Sequence, residues 1–296
     1  MKVSIIIPTY KRCDNLKKLL QTLLKQNYDD FEVIVIDQSP LLPKNLEDIL
    51  AAKDKIKYFN LPGNNAAYAR NIGIKKAAGE IVICCDDDIM VKPDFIMAHA
   101  KNYQEPGVGA VSGRVSCSND TPVSKITKVG RIRKYDGKII ANFNAGFKTD
   151  VEHAYGCNFS FRKELSKKIG GYDERLTGTG SFDDADLSFN IRKLGYRIVF
   201  DPFAEAVHLL SSGGYRDLSL AEKMYWYYHN FMIFYLKNLK KIFFPVFLLR
   251  QIGSILRCAV IFRDLRVIHL GLKGLYRGFI DYFQKPEALG NAGTTK

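Results

Sequence analysis

Short apolar runs alternate with segments of helical periodicity along the first half of the chain, and this alternation constrains the fold more than any other feature. Buried strands are predicted at residues 3–7, 31–36, 56–60 and 81–85. Helices are predicted from a cap at Asp14 through residue 24, over residues 44–53, from Asn64 or Asn65 to Ala78 with Gly79 closing the helix, and from Pro93. The pattern predicts an α/β fold with a mostly parallel, Rossmann-like sheet flanked by helices.

Polar side chains follow three of these predicted strands, at residues 9–12, 37–39 and 86–88. In sheets of this kind, ligands bind outside the carboxyl ends of the strands. The three adjacent carboxylates of Asp86, Asp87 and Asp88 repel one another unless cations compensate their charge. A divalent ion bridging a diphosphate is such a cation, and a solvated acidic turn is the alternative interpretation.

Two weaker signals occur later in the chain. Asp183, Asp184 and Asp186 open a predicted helix, where two acids could serve as caps and a third is left free to act as a base. His208 follows a strand-like segment. A lone histidine is usually structural, and this one becomes a candidate site residue only together with the acidic groups.

The predicted organisation places an α/β domain before a basic, helical C-terminal region. A further strand is predicted at 108–116, followed by a polar, mobile excursion over 117–150. The predicted divisions are an α/β domain at 1–220, a basic aromatic helical membrane-association region at 221–285, and a disordered tail at 286–296.

The formal net charge of +13 is concentrated near the C-terminus. Between Lys237 and Arg277 nine Lys and Arg residues accompany a single acid, Asp264, so nucleic acid, an anionic membrane surface and phosphate-bearing substrates are all candidate partners. Segment 242–262 is apolar but contains Arg250 and Arg257, which favours an amphipathic helix lying in the membrane plane over a spanning helix. A helical subdomain packed on the protein is the alternative.

Cysteine usage and the N-terminus indicate a cytoplasmic protein. The six cysteines are scattered and form no Cys-x-x-Cys pair, as in proteins with reduced thiols. The first apolar run is short and ends at Pro8, which predicts a strand and not a signal peptide.

Over about residues 1–210 the chain resembles glycosyltransferase family 2, whose members are inverting enzymes with the GT-A fold. The resemblance rests on Pro8-Thr9-Tyr10-Lys11-Arg12, Val35-Ile36-Asp37-Gln38-Ser39, Ala69-Arg70-Asn71-Ile72-Gly73, Asp86-Asp87-Asp88, Gly156-Cys157-Asn158-Phe159-Ser160-Phe161-Arg162, Gly170-Gly171-Tyr172-Asp173, Asp183-Asp184-Ala185-Asp186-Leu187 and His208. Their number and order make this signal far more specific than any single motif.

The resemblance implies a role for each matching residue. Residues of the nucleotide-sugar site would be Thr9, Arg12, Asp37, Arg70, Asn71, Asp86 and Asp87. Asp88 would bind Mn²⁺ or Mg²⁺, and His208 would complete the metal site. Gly156, Asn158 and Asp183 would border the acceptor, and Asp184 would be the catalytic base. Asp183 stands where the family usually has Glu, which leaves its role in supporting the base open. Gln38 stands where Asp or Asn is commoner, which leaves the identity of the donor open.

The resemblance implies that 1–220 is a catalytic domain, with a nucleotide-sugar half at about 1–116 and an acceptor half at about 150–210. The implied function is single-step transfer of a sugar from a nucleotide-sugar donor to an acceptor hydroxyl. The chain has no Gln-x-x-Arg-Trp element of the processive members. The expected acceptor is a lipid-linked or cell-surface glycan precursor at the inner face of the cell membrane, with no nucleic-acid partner. The alternatives are a sugar nucleotidyltransferase, which would be expected to have a glycine-rich loop after the first strand, and a basic nucleic-acid-binding protein.

Overall fold

The computed structural model describes residues 1–40, 46, 50, 54–117, 126–211 and 213–284, without the side chains of 214 and 215. The strands are β1 (Val3–Thr9), β2 (Phe31–Asp37), β3 (Ile56–Asn60), β4 (Ile81–Cys85), β5 (Ile89–Val91), β6 (Val108–Cys117), β7 (Arg131–Ile132), β8 (Ile139–Ile140), β9 (Thr149–Val151), β10 (Asn158–Arg162) and β11 (Arg197–His208). The α-helices are α1 (Cys13–Leu23), α2 (Ala66–Lys76), α3 (Phe95–Ala100), α4 (Lys163–Ile169), α5 (Asp183–Lys193), α6 (Leu220–Asn238), α7 (Phe244–Phe262) and α8 (Arg266–Tyr282).

Nine strands form one mixed, mostly parallel sheet in the order β3-β2-β1-β4-β10-β6-β11-β5, with β9 pairing to β11. Strands β1 to β4, β6 and β11 run in one direction, while β5, β9 and β10 run against their neighbours. The predicted fold class is therefore confirmed. The reversed strand β10 links the two groups of parallel strands and separates β4 from β6.

Helices cover both faces of the sheet. The leucine-rich face of α1 and the side chains of α3 pack on one face, and α2, α4 and α5 pack on the other. The mostly apolar sequences of β1, β2 and β4 follow from this double coverage, because neither face of these strands meets water.

Helix boundaries differ from prediction mainly at the caps. Arg12, and not Asp14, is the N-cap of α1, and α3 begins at Phe95 with Asp94 as its N-cap. Asn65 caps α2 as predicted, by accepting a hydrogen bond from the Tyr68 N–H. The C-cap of α2 is Ala77 and not Gly79. The helix predicted at 44–53 and the tail predicted at 286–296 lie almost wholly outside the described residues.

The excursion predicted to be mobile at 117–150 is ordered in its described part, residues 126–150. Strands β7 and β8 pair as a small hairpin, and β9 joins the main sheet beside β11. Val129 and Phe143 are buried in the same core as α2 and α5. Apolar side chains spaced along this polar segment anchor it on the sheet, which the prediction underestimated.

The C-terminal helices pack on the α/β part of the chain through the aromatic face of α6. Tyr228, Phe231 and Phe234 are fully buried, and Phe231 stacks on Phe182 with ring centroids 4.4 Å apart. The sequence interpretation assigned this aromatic cluster to a membrane surface. That assignment is corrected for α6, because Phe182, Phe189 and α7 already bury the rings.

Helix α8 lies against α6 at a seam of glycines. A Cβ on Gly274 would lie 2.3 Å from the Tyr225 carbonyl oxygen, and one on Gly278 would lie 2.3 Å from that of His229. Only glycine permits this approach of the two backbones.

Several cations assigned to lipid contacts are paired within the protein. Lys237 Nζ lies 2.9 Å from Asp173 Oδ2 and 2.7 Å from Asp186 Oδ2, and Arg250 Nε lies 3.2 Å from Asp136 Oδ2. Arg277 likewise pairs with the buried Asp281. These residues stabilise the packed helices, so the predicted cationic surface is smaller than the sequence suggested.

Candidate active site

The carboxyl ends of β1, β2 and β4 lie side by side and bring the predicted donor-site residues together. Thr9 pairs with Asp37 in the register of β1 and β2, and β1 also pairs with β4, which runs into the triple aspartate. Thr9 Oγ1 donates a 2.7 Å hydrogen bond to Asp87 Oδ2. The edge of the parallel sheet thus joins residues that are far apart in sequence.

His208 reaches Asp88 because β11 pairs antiparallel with β5. In this register His208 lies opposite Ile89, one residue beyond Asp88. His208 Nε2 lies 3.2 Å from Asp88 Oδ1 and 4.0 Å from Asp86 Oδ2. The predicted pairing of the late histidine with the acidic run is therefore present in the structure.

This group fits a divalent cation. Asp88 Oδ1 is buried and makes no well-formed hydrogen bond in the described part of the chain, although the imidazole nitrogen lies close. A carboxylate oxygen and an imidazole nitrogen at this distance can bind the same cation when the ring nitrogen offers its lone pair. Two carboxylates and one imidazole form a donor set that suits Mn²⁺ and accommodates Mg²⁺.

Two arginines surround the same carboxylates. Arg12 Nη1 lies 3.1 Å from Asp87 Oδ1, and its Nη2 donates a 2.6 Å hydrogen bond to the Gly213 carbonyl. Arg216 Nη2, from the 3-10 turn Gly214–Asp217, lies 3.6 Å from Asp88 Oδ2. Burial alone would raise the pKa of Asp88, but the His208 contact and then the arginine charges hold this pKa below its usual value.

Arg70 joins the two acidic runs. Its Nη1 lies 2.5 Å from Asp183 Oδ2 and its Nη2 lies 3.1 Å from Asp86 Oδ1. The guanidinium is buried, so it neutralises Asp183 in a region of low dielectric constant. Arg70 therefore holds the start of α5 against the carboxyl end of β4.

Among the described residues, the hydrogen bonds that the Asp184 carboxylate accepts come from backbone N–H groups. Its Oδ2 accepts a 2.5 Å hydrogen bond from the Gly156 N–H, and its Oδ1 accepts one of 2.7 Å from the Ala185 N–H. A Cβ at position 156 would lie 3.1 Å from Asp184 Oδ2, so glycine is favoured there. Burial, and then the neighbouring charge of Asp183, raise the pKa of Asp184 well above that of a free aspartate. A raised pKa is what a general base needs near neutral pH.

The two acidic runs open into one cavity of about 430 Å³, a volume suited to a small-molecule ligand. On the donor side its wall includes Thr9, Arg12, Gln38, Arg70, Asp86, Asp87 and His208. The wall also includes Phe143, Tyr155, Gly156, Gly178, Asp183, Asp184 and Tyr227. Two of the metal-binding candidates, Asp86 and His208, therefore face the same space as the candidate base.

Three predicted residues lie elsewhere than the resemblance implied. The Asn71 amide bonds to the Tyr172 backbone, away from the cavity. Asn158 is fully buried and bonds to His99 and to two backbone carbonyls, so it does not border the acceptor. Asp37 lies on a neighbouring cavity and already accepts hydrogen bonds from Tyr58 Oη and the Ser39 N–H.

Sequence reasoning missed Arg216, Cys157 and Tyr227. The glycine-rich stretch after His208 could have indicated a binding loop containing Arg216. Cys157 Sγ lies within 4.8 Å of ligand atoms of both Asp86 and His208, but burial raises its thiol pKa, so it is no ligand for a hard cation. No sequence signal placed Tyr227 at the cavity, because its helix α6 lies beyond the motifs that carry the family resemblance.

Comparison with known proteins links this geometry to sugar transfer. The family model described as "Glycosyl transferase family 2" matches residues 4–170, more than half of the chain. A glucosyl-dolichyl phosphate glucuronosyltransferase of Haloferax volcanii is 26% identical over 226 residues, which cover 71% of this chain and 70% of that protein.

Solved structures share the fold at low sequence identity. S. aureus TarS residues 1–349, in complex with UDP-GlcNAc, superposes with a TM-score of 0.67 at 18% identity, covering 95% of this chain and 81% of that one. A mannosyltransferase from Pyrobaculum calidifontis, in complex with GDP-Man and Mn²⁺, gives a TM-score of 0.57 at 18% identity, covering 99% and 76%. Other curated relatives are longer proteins, of which the chain spans only 18–38%.

Proposed function

The chain belongs to glycosyl transferase family 2, and from this premise we propose that it transfers one sugar from a nucleotide-sugar donor to an acceptor hydroxyl. The observation that supports this most directly is the shared cavity. Asp86 and His208, the neighbours of Asp88 in the candidate metal site, line it together with Asp184. The family assignment favours sugar transfer over the nucleotidyltransferase and nucleic-acid-binding alternatives.

On the donor side, Asp88 and His208 would hold a divalent cation, with Asp86 beside them. Such an ion supplies positive charge where the nucleoside diphosphate leaves. Arg12 and Arg216, both close to Asp88, are placed to add charge at the diphosphate. Thr9 and Asp87 would orient the nucleoside, since their mutual hydrogen bond fixes both side chains at the cavity wall.

On the acceptor side, Asp184 would take the proton from the attacking hydroxyl. Its raised pKa strengthens it as a base, and the two backbone N–H groups fix its direction. Asp183 would act through Arg70, which it holds between the two acidic runs. Attack in line with the departing diphosphate would invert the configuration at the anomeric carbon.

The proposed acceptor is a lipid-linked or cell-surface glycan precursor, used at the cytoplasmic face of the membrane. The name of the Haloferax volcanii relative describes transfer to a lipid-linked sugar, which supports this class. The donor nucleotide stays open, because the structural neighbours hold UDP-GlcNAc in one case and GDP-Man in the other.

A thermal-shift screen tests the proposal. The protein is melted with UDP, GDP and their sugar conjugates, each with and without Mn²⁺. We expect one nucleotide family to raise the melting temperature, and only when the metal is present. A donor at a hundredfold excess over its Kd adds about 2.7 kcal/mol to the free energy of unfolding. Equal shifts in Mn²⁺ and in EDTA would contradict the metal site, and no shift with any nucleotide would contradict donor binding.

A further inference from the structure

Helix α7 exposes an apolar stripe on the side opposite its buried face. Phe247, Gln251, Ile255 and Ala259 point inward and are buried. The outward positions, spaced by three and four residues, are Ile242, just before the helix, Val246, Leu249, Gly253, Leu256 and Val260. Leu249 and Val260 are 72% and 77% exposed, so these side chains are not a partly covered core.

Helix α8 repeats this arrangement. Its inward face consists of small and apolar residues packed on α6 and α7. Its outward positions, with Leu265 just before the helix and Phe283 just after it, are Leu265, His269, Leu272, Tyr276, Phe279 and Phe283. More than half of the large apolar side chains that are exposed in the described residues lie between 242 and 283. A soluble monomer rarely exposes so much apolar surface in one region.

The charges beside these stripes identify what covers them. Lys240, Arg257, Arg263 and Lys273 have no carboxylate within ion-pair distance among the described residues. The only acids of segment 240–284 are Asp264, which Arg266 holds, and Asp281, which is buried. A second copy of the chain would oppose these cations with the same cations in a two-fold dimer. Anionic lipid headgroups complement them.

Segment Lys241–Phe262 is long and apolar enough to cross a membrane, but its contacts favour a helix lying in the plane. The inner face of α7 is held by the ion pair between Arg250 and Asp136 and by packing on α6. Spanning would break these contacts and place Arg250 and Arg257 in hydrocarbon. A helix in the plane keeps its inner face on the protein and buries only the outer stripe.

We propose that the outer faces of α7 and α8 form a bilayer-binding surface that lies flat in the headgroup region of an anionic membrane. The inference rests on the proposed function in one respect, since it explains how a lipid-linked acceptor and the cavity meet. It requires no particular donor, metal or base.

Vesicle flotation of the full chain tests this surface. We expect the protein to float with phosphatidylcholine vesicles containing anionic phosphatidylglycerol, to float less with phosphatidylcholine alone, and to be partly released by high salt. Leu249→Glu and Val260→Glu should each lower the partition coefficient at least tenfold, and Arg257→Gln by about fivefold. Phe203→Glu is the matched control, because Phe203 is 74% exposed but lies on β11, and it should float like wild type.

The controls separate this inference from the proposed function. Nucleotide binding and the melting temperature are measured for every variant, and both should stay at wild-type values. The proposal is overturned if the wild-type protein ignores anionic vesicles, or if the two α7 variants float as well as wild type. Resistance to high salt and alkaline extraction would identify a spanning helix, and a dimer dissociated by Leu249→Glu without vesicle binding would identify a second copy.

Discussion

The two acidic runs have similar composition, yet they are used differently. At 86–88, in the turn after β4, each carboxylate has a partner at the sheet edge. Asp86 pairs with Arg70, Asp87 pairs with Arg12, and Asp88 lies against His208. In α5 the acids separate: Asp183 pairs with Arg70, Asp184 faces the cavity, and Asp186 turns away to Lys237 and Asn238.

The local backbone assigns different roles to these identical side chains. A helix turns about 100° per residue, so neighbouring acids in α5 point in different directions and serve different partners. A turn at the end of a strand can direct several side chains into one site. An acidic run in a turn is therefore interpretable as a unit, whereas one in a helix must be interpreted residue by residue.

The largest expected effect tests whether Asp184 alone serves the chemistry. Asp184→Asn keeps the shape and can still accept the Gly156 N–H, but it cannot take a proton. Turnover, measured as released nucleoside diphosphate, should fall about 10²–10⁴-fold. Nucleotide affinity by calorimetry should stay within about twofold. Turnover within a few-fold of wild type would place the base elsewhere.

The second prediction tests whether Asp186 is structural. Asp186→Ala removes one of two carboxylates from Lys237 and should lower the free energy of unfolding by about 2–3 kcal/mol, less than for a buried pair broken completely. Denaturant unfolding measures this. Turnover of the folded protein should change little, and a loss comparable to that of Asp184→Asn would erase the contrast within α5. Asn238→Ala, which loses one hydrogen bond to Asp186, should cost about 1 kcal/mol.

The third prediction concerns the run at 86–88. Asp88→Ala should abolish the metal dependence of nucleotide binding and reduce affinity in Mn²⁺ about 10²-fold, because metal-bridged phosphate contributes several kcal/mol. Calorimetry in Mn²⁺ and in EDTA measures both terms. His208→Ala should weaken metal binding less, by about tenfold, since one imidazole is lost and the carboxylates remain. Unchanged metal dependence in either variant would return that residue to a structural role.

The smallest effect is a displacement of the pH profile. Because Asp184 must be ionised to accept a proton and its pKa is raised, kcat/KM should fall tenfold per pH unit on an acid limb that lies above the ordinary aspartate pKa of 3.8. Asp183→Asn removes a neighbouring negative charge, so the limb should move to lower pH. A limb that stays in place would show that Asp183 does not influence the base.

The sequence was most informative where local pattern and tertiary position coincide. The apolar runs of β1, β2 and β4 and the polar residues after them gave both the sheet and its functional edge, since parallel strands align their carboxyl ends. The positions of the acids identified the two acidic runs. The family resemblance then assigned the role of base to Asp184 and linked His208 to the metal site.

The remaining features depend on partners distant in sequence. Lys237 was assigned to a membrane because its ion-pair partners, Asp173 and Asp186, lie far from it in the sequence. Asn158 was assigned to the acceptor side from the family resemblance, but its side chain lies in the core and bonds to His99. Whether residues 1–220 form an independent unit stays a prediction. Phe231 of α6 stacks on Phe182, so a chain ending at residue 220 would lose this contact.

The glycine seam between α6 and α8 has a mechanical consequence. Because Gly274 and Gly278 bring the two backbones into direct contact, α8 has little freedom to slide along α6, whose Tyr227 forms part of the cavity wall. A surface helix attached in this way is held rigidly against its neighbour and is not flexibly linked to it. With α7 and α8 resting on a bilayer, the cavity mouth would stand at a fixed height above the lipid, and only acceptors long enough to span that height could reach Asp184.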